Sequence, residues 1–309
     1  MPSDLHAAID IGTNTVLLLV AKKNGEILTP VREEQRIPRL GNGVDASGNL
    51  SDASMKRVLD ALQEYNEIIS SDYPQIQSPV VTATSAVRDA ANRSYFIDKV
   101  REETGFEIRL LSGIEEAEYT FAGALSMLPK IDEAVVIDIG GGSTEIAHGM
   151  KGVVRESHSF DMGSVRFTER FIGSDPPEES QIRNCREEIR KILHNRPFKF
   201  QKEDVQPALV GVAGTVTSLA FMDSGLSQYD SEQINDYTLS TENISYWVDK
   251  ISKNTVRSLE ETYPVVMKGR AEIILAGLLI LDEFMTLYNF PELVVSTGGI
   301  RHGAILSKN

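Results

Sequence analysis

The chain has 309 residues, of which 41% are hydrophobic and 25% are charged, so we expect a substantial core in one large or two medium domains. Lys and Arg total 31 against 45 Asp and Glu, and the net charge of −14 argues against broad binding to nucleic acid or to a membrane surface. A single cysteine, Cys185, excludes an internal disulfide and favours a cytoplasmic location.

The first predicted elements form a hairpin with an acid near the end of its leading strand. The stretch AAIDIGTNTVLLLVA at 7–21 predicts a strand that ends in Asp-Ile-Gly, a tight turn from Gly12 to Thr15, and a second strand. Because this strand lies within the first dozen residues, no signal peptide is expected. The first half continues with a strand near 27–36, a helix capped by Ser51, and a strand at 78–89 whose hydroxyl-rich exit carries Arg88.

A helix with paired acids follows from Leu110. Ser112 and Glu115 stand three residues apart, which is the spacing of a capping box and gives Glu115 a structural role. The helical phase directs Glu116 away from the apolar stripe. A carboxylate on that side fits a solvated surface group and a general base equally well. The apolar stripe consists of Ile114, Ala117, Phe121, Leu125 and Leu128.

The second half repeats the order of the first. VVIDIGGGSTEIAHG at 135–149 matches the first hairpin, and three further matches follow: a strand at 153–160, a helix from Pro176 with Pro177 in its first turn, and a strand at 207–220. Four matches in the same order predict two similar α/β domains, each with a mixed sheet of a β-meander and helix-linked parallel strands. The ligand is expected in the cleft between them.

The longest apolar run, IILAGLLIL at 273–281, is too short to span a bilayer, which takes about 20 residues. No membrane segment is therefore predicted. Burial inside a domain and burial in a subunit interface explain this run equally well, which leaves a homodimer open.

The glycines of both hairpins predict phosphate binding. Turn amides bind anions, and glycine lets the backbone approach closely because it lacks Cβ. An ordinary hairpin turn would use the same residue types. The candidates are Gly12, Thr13, Asn14 and Thr15 in the first hairpin, and Gly140, Gly141, Gly142, Ser143 and Thr144 in the second.

The acids beside the second turn predict a divalent cation. Carboxylates that face phosphate oxygens repel them by about 4 kcal/mol at 4 Å and a dielectric of 20, unless a cation lies between. Mg²⁺, or another divalent ion such as Mn²⁺, accepts one or two carboxylates with water and phosphate, and Asp138 and Glu145 lie on either side of the turn. Asp10 is a weaker candidate at the matching place. The alternative for Asp138 is bonding to loop amides.

Among the basic residues, Arg88 is favoured as a phosphate ligand because it follows the hydroxyl cluster and its planar fork suits phosphate. The others are expected mostly as surface ion-pair partners: Arg32, Arg36, Arg39, Lys268, Arg270 and Arg301.

Six motifs in order resemble the exopolyphosphatase and guanosine pentaphosphate phosphohydrolase family: DIGTNT, TATSAVRD, LSGIEEAEYTFAG, VVIDIGGGSTEI, VAGTVTSLA and STGGIRHGAIL. The resemblance implies an α/β fold of the actin-like ATPase superfamily, with two ribonuclease-H-like domains and an interdomain cleft. The domains would comprise residues 1–125 plus 300–309, and residues 126–299.

The resemblance also implies residue roles. Glu116, the second Glu of the Glu-Glu-Ala motif, would activate the attacking water, and Asp138 and Glu145 would bind Mg²⁺. Arg88 and the glycines with Ser143 would hold phosphate, as would Gly214 and Thr215 of VAGTVTSLA. Two departures from the family pattern are noted. The C-terminal domains of longer members are expected to be missing, and Arg270-Ala271-Glu272 replaces Arg-Ala-Asp, so Glu272 is left out of the site.

The sequence thus predicts a phosphoanhydride hydrolase that releases orthophosphate from inorganic polyphosphate. The runner-up substrate is guanosine pentaphosphate. Two other classes stay open: an actin-like ATP-dependent kinase, and a non-catalytic alarmone or polyphosphate sensor. Chain-length preference and processivity are undetermined.

Overall fold

The computed structural model describes residues 4–198 and 206–307. The chain forms two compact units: unit 1 takes the chain up to Ser126 and again from Gly298, and unit 2 runs from Met127 to Thr297. Among the described residues, every helix is too short or too polar to cross a membrane.

Unit 1 contains a five-stranded mixed sheet. In space the strands follow the order β3-β2-β1-β4-β5. The pairs β3–β2 and β2–β1 are antiparallel, and the pairs β1–β4 and β4–β5 are parallel. The predicted meander followed by parallel strands is confirmed. The strands are β1 Leu5–Ile11, β2 Val16–Asn24, β3 Ile27–Arg36, β4 Val80–Ala83 and β5 Ile108–Leu110.

Helices cover both faces of this sheet. They are α1 Val44–Ser47, α2 Asp52–Asp72, α3 Ser85–Asp89, α4 Arg93–Thr104, α5 Gly113–Ser126 and α14 Ile300–Leu306. Ile9 and Ile11 pack in the core with residues of α2 and α4, whereas Ala8 packs with Ala304 of α14. Because side chains alternate between faces along a strand, Asp10 shares the face of Ala8.

Unit 2 contains a six-stranded sheet in the order β10-β11-β9-β6-β7-β8. Its strands are β6 Glu133–Ile139, β7 Thr144–Met150, β8 Val153–Phe160, β9 Ala208–Val212, β10 Thr238–Ser240 and β11 Glu292–Val295. The run β8-β7-β6-β9-β11 repeats the order of unit 1, and β10 pairs antiparallel with β11 as an added edge strand.

The described helices of unit 2 enclose a large apolar core. They are α6 Ser164–Phe171, α7 Glu179–Asn195, α8 Ala213–Ser224, α9 Ser231–Ile234, α10 Thr241–Ser252, α11 Val256–Thr262, α12 Pro264–Met267 and α13 Ile274–Tyr288. The apolar run at 273–281 becomes α13, which is buried almost throughout. Cys185 of α7 is fully buried, and burial raises the pKa of its thiol to about 12.

Three element boundaries differ from the sequence prediction. The strand expected at 78–89 ends at Ala83, so Arg88 lies on α3, and the strand expected at 207–220 ends at Val212 and continues as α8. A short apolar run suits a buried helix as well as a strand, which explains both errors. Pro177 precedes α7 rather than lying in its first turn, because the helix begins at Glu179.

Candidate active site

The two glycine hairpins close in the same register. Ile11 pairs with Val16 in unit 1 and Ile139 pairs with Thr144 in unit 2, so four residues form each turn. Both turns are closed by the same hydrogen bond: the Gly12 amide donates to the Thr15 carbonyl at 2.9 Å, and the Gly140 amide donates to the Ser143 carbonyl at 3.1 Å.

In unit 2, the carbonyl groups of the turn face the start of α6. The amides of Ser164 and Val165 donate to the carbonyls of Gly140 and Gly141 at 2.9 and 2.8 Å, and Arg166 Nε donates to the carbonyl of Gly142 at 2.7 Å. In a planar trans peptide the N–H points opposite to the C=O. The amides of residues 141, 142 and 143 are therefore directed away from α6, which gives three aligned donors for an anion.

Close backbone packing fixes this orientation. A Cβ atom on Gly163, the residue before α6, would lie 2.5 Å from the carbonyl oxygen of Gly141 and 2.7 Å from the carbonyl carbon of Gly142. Glycine at 163 is therefore needed for α6 to approach the turn so closely.

In unit 1, a loop replaces the helix as the partner of the turn. The amides of Gly41 and Arg39 donate to the carbonyls of Thr13 and Asn14 at 2.8 and 3.1 Å. By the same peptide geometry, the amides of Asn14 and Thr15 are directed away from this loop. Unit 1 thus aligns two amides where unit 2 aligns three.

Two buried acids face each other beside the turn of unit 2. Asp138 on β6 pairs with Glu145 on β7, and the two residues are only 7% and 2% exposed. Directly opposite residues place their Cβ atoms about 5 Å apart. Like charges on directly opposite residues destabilise a sheet, so this pair favours a cation.

The two carboxylates fit a divalent ion that prefers hard oxygen ligands. Across residues 4–198 and 206–307, no group of three or more His, Cys, Asp or Glu is placed to hold a metal. An ion bound by Asp138 and Glu145 would complete its ligand shell with water and phosphate oxygens, which is how Mg²⁺ is usually bound.

Asp10 has a different environment in unit 1. It lies opposite Leu17, and its Oδ1 accepts a hydrogen bond from Thr82 Oγ1 at 3.0 Å. No second acid occupies the facing position. Asp10 therefore lacks the acid pair that makes Asp138 a metal-ligand candidate.

Glu116 lies on α5 and is only 5% exposed. Its Oε2 accepts a hydrogen bond from Arg88 Nη1 at 2.9 Å, and the same nitrogen donates to the Leu111 carbonyl at 3.1 Å. The structure therefore brings two of the predicted site residues together as an ion pair. A solvated surface position for Glu116 is excluded by this burial, and Ile114, expected in the apolar stripe, is instead 57% exposed.

Glu115 has the structural role that its spacing predicted. The Ser112 amide donates to Glu115 Oε2 at 2.9 Å, and the Glu115 amide donates to Ser112 Oγ at 3.2 Å. The hydrogen bonds that the Ser112 amide and hydroxyl donate to the carboxylate, together with an ion pair to Arg109, lower the pKa of Glu115 to about 2.

Gly214 and Thr215 lie in the first turn of α8, which follows β9 directly. Ala213 just before them has φ of 66°, and a left-handed residue followed by helical ones makes a concave group of amides that suits an anion. A Cβ on Gly214 would lie 2.7 Å from Cζ of Arg270, whose Nη1 donates to Ser218 Oγ at 3.1 Å. Burial lowers the pKa of the Arg270 guanidinium.

The sequence analysis missed the place of Arg270. It was expected among the surface ion-pair partners, whereas the structure packs it against Gly214 in the first turn of α8. The signal available in the sequence was an arginine in a chain that has 31 basic residues against 45 acidic ones.

Two threonine side chains from the predicted set are packed within unit 2. Thr144 Oγ1 donates to the Met162 carbonyl at 2.6 Å, which uses its one hydrogen. The side chain of Thr215 packs against Gly277, where a Cβ would come within 2.5 Å of Thr215 Oγ1. These two residues can therefore contribute to an anion site through their backbone amides.

A model of the Ppx/GppA phosphatase family matches residues 19–309. The chain belongs to this family. Exopolyphosphatase 2 from Mycobacterium tuberculosis is 32% identical over 97% of both chains. A bifunctional 3-dehydroquinate synthase/phosphatase from Fusobacterium nucleatum is also 32% identical, and the match covers 98% of this chain but only 46% of that protein. The crystal structure of the Aquifex aeolicus family member covers 99% of this chain with 29% identity and a TM-score of 0.83.

These similarities confirm three predictions: the family, the two-unit α/β fold, and the class of enzyme, a phosphoanhydride hydrolase. The predicted domain boundaries, the cleft and the individual residue roles stay predictions.

Proposed function

We propose that this Ppx/GppA family member is an exopolyphosphatase that hydrolyses the terminal phosphoanhydride of inorganic polyphosphate and releases orthophosphate. The observation that carries the proposal is the turn at Gly140–Ser143, which has aligned amides next to the facing acids Asp138 and Glu145. The substrate is proposed from exopolyphosphatase 2, which is similar to this chain over nearly its whole length.

In this proposal, backbone amides hold the phosphate oxygens. The proposed donors are the amides of Thr13, Asn14, Thr15, Gly141, Gly142, Ser143, Thr144, Gly214 and Thr215, because the Gly12 and Gly140 amides close the turns. Such donors bind an anion without bringing a second charge into the site. Arg88 adds a guanidinium, whose planar fork matches phosphate oxygens.

Glu116 is proposed as the general base. It accepts the proton of a water molecule whose oxygen attacks the terminal phosphorus, while the bond to the bridging oxygen breaks and the shortened chain leaves with the electron pair. The ion pair with Arg88 supports this role, because the 2.9 Å charge-assisted bond fixes the direction of the carboxylate.

Asp138 and Glu145 are proposed to hold Mg²⁺, with Asp10 as a weaker candidate. When bound, the ion would neutralise charge on the phosphate oxygens. The protein's own contribution is then to align the donors and the base, since phosphoryl transfer depends mainly on positioning and electrostatic stabilisation.

The test compares Glu116→Gln with Glu118→Gln, an exposed glutamate on the same helix. Phosphate release from polyphosphate with Mg²⁺ should fall about 10²–10⁴-fold in Glu116→Gln, the usual contribution of a general base, and stay unchanged in Glu118→Gln. Full turnover by Glu116→Gln would refute its role as base.

Parallel assays separate the other functions. Guanosine pentaphosphate is the runner-up substrate, because the six sequence motifs resemble a family of exopolyphosphatases and guanosine pentaphosphate phosphohydrolases. Glu116-dependent release from that nucleotide alone would replace polyphosphate as substrate. ATP consumption that requires a sugar acceptor would favour a kinase, and binding without turnover would favour a sensor.

A further inference from the structure

A row of polar side chains crosses three neighbouring strands of unit 2. Asp138 on β6 pairs with Glu145 on β7, and Glu145 pairs with Ser159 on β8. Directly opposite residues in antiparallel strands project to the same face of the sheet. Ser159 therefore lies next to the Asp138–Glu145 pair, although nothing in its sequence position indicates this.

Ser159 makes a short hydrogen bond to one of these acids. Its Oγ donates to Glu145 Oε1 at 2.6 Å, which is the range of a hydroxyl bonded to an ionised carboxylate. The backbone of Ser159 is held in turn, because Arg196 Nη1 donates to its carbonyl at 3.2 Å. The hydroxyl is thus presented to Glu145 from a fixed place.

We propose that Ser159 is a positioning residue for the divalent metal: it orients the Glu145 carboxylate towards the ion. This inference rests on the proposed function, which assigns Glu145 to the metal. A donor on one carboxylate oxygen fixes the plane of the group and reduces its rotational freedom. Removing such an outer partner of a metal ligand typically weakens metal affinity about 10–100-fold.

The variants isolate the hydroxyl group. Ser159→Ala removes it, and Ser159→Thr keeps it on a residue that strands accommodate well. Ser157→Ala is the matched control, because Ser157 lies two residues away on β8 but pairs with Ala147 rather than with an acid. Glu145→Gln removes the proposed ligand charge.

The primary measurement is Mn²⁺ binding to the whole protein, followed by electron paramagnetic resonance without substrate. Ser159→Ala should weaken binding about 10–100-fold, Ser159→Thr should restore it to within a few-fold, and Ser157→Ala should bind like the wild type. With polyphosphate, the Mg²⁺ concentration for half-maximal rate should rise in Ser159→Ala by more than kcat falls. Thermal unfolding in EDTA checks that each variant is folded.

The outcomes separate the two proposals. Weaker binding in Glu145→Gln but normal binding in Ser159→Ala would overturn the role of Ser159 and leave the metal role of Glu145 intact. Normal binding in both variants would overturn the metal role itself. Failure of Ser159→Thr to restore affinity would also refute the proposal, because the hydroxyl would then not be the group that matters.

Discussion

The hairpins at Gly12–Thr15 and Gly140–Ser143 share a register and a closing hydrogen bond, yet their surroundings differ. Leu17 faces Asp10 in unit 1, whereas Glu145 faces Asp138 in unit 2. The same backbone therefore supports one acid bonded to a neighbouring threonine in unit 1 and a pair of facing acids in unit 2. The charge around each turn, rather than its shape, separates their proposed roles.

The partners of the two turns also differ. The first turn of α6 and the side chain of Arg166 hold three carbonyls in unit 2, whereas the loop at Arg39–Gly41 holds two in unit 1. Unit 2 consequently presents more aligned amides. We infer that the unit 2 turn makes the larger contribution to holding phosphate and metal, and that unit 1 contributes mainly through Glu116 and Arg88.

Neutralising the leading acid of each hairpin should have the largest effect and tests this asymmetry directly. Asp138→Asn should lower kcat/KM for polyphosphate about 10³-fold, because a metal contributes several kcal/mol and each 1.4 kcal/mol is a factor of ten. The loss of kcat/KM in Asp10→Asn should be at least tenfold smaller, since Asp10 lacks a facing acid. Phosphate release at several Mg²⁺ concentrations measures both. Equal losses would mean that the two acids contribute alike.

Adding one methyl group beside each turn should have the next largest effect. Gly163→Ala forces a Cβ against the backbone of Gly141, whereas Gly41→Ala meets the side chain of Thr13. Backbone must move in the first case, so we expect about a 10²-fold loss of kcat/KM in Gly163→Ala and a smaller loss in Gly41→Ala. Steady-state kinetics, with thermal unfolding as a folding control, compare them. A larger loss in Gly41→Ala would reverse the proposed ranking.

Much of this comparison could be predicted from sequence because it depends on local patterns. The Asp-Ile-Gly repeat predicted both hairpins and the mixed sheets, and the Ser112–Glu115 spacing predicted the capping box that the structure confirms. The contacts of Ser159 and Arg270 depend on strand register and on packing between distant segments. Neither is visible in the order of residues alone, which is why the sequence analysis missed both.

The burial of Glu116 likewise depends on packing between distant segments, which the sequence alone does not show. Helical phase directed it away from the predicted apolar stripe, whereas the structure places Glu116 on the buried face of α5, next to Arg88 of α3. The error for Arg88 was similar, because its strand turned into a helix after Ala83.

A buried histidine gives unit 1 a pH dependence of its own. Burial, with a smaller contribution from Arg301, lowers the pKa of His302 from 6.5 to about 3. Between these values the unfolded chain binds a proton that the folded unit does not, so stability falls as pH falls through this window. At pH 5 the loss relative to pH 7 should be about 2 kcal/mol.

Urea unfolding of the wild type and His302→Gln at pH 7 and pH 5 measures this loss. The variant should lose less stability between the two pH values, whatever its stability at pH 7. His194→Gln, which changes an exposed histidine of α7, is the matched control for the substitution. Equal losses of stability between pH 7 and pH 5 in His302→Gln and the wild type would refute the assignment of this pH dependence to His302.

The smallest expected effect concerns the facing acids without metal. Like charges directly opposite each other destabilise a sheet, by up to about 1 kcal/mol, so Glu145→Gln should stabilise the metal-free protein by about that amount. The glutamine oxygen can still accept the hydrogen bond from Ser159. Urea unfolding in EDTA measures the gain, and Mg²⁺ should then stabilise the wild type more than the variant, because a ligand stabilises only the state that binds it. Destabilisation of Glu145→Gln in EDTA would instead show that the fold needs the charge of Glu145. The contrast between two mutually repelling acids in unit 2 and one hydrogen-bonded acid in unit 1 would then be wrong.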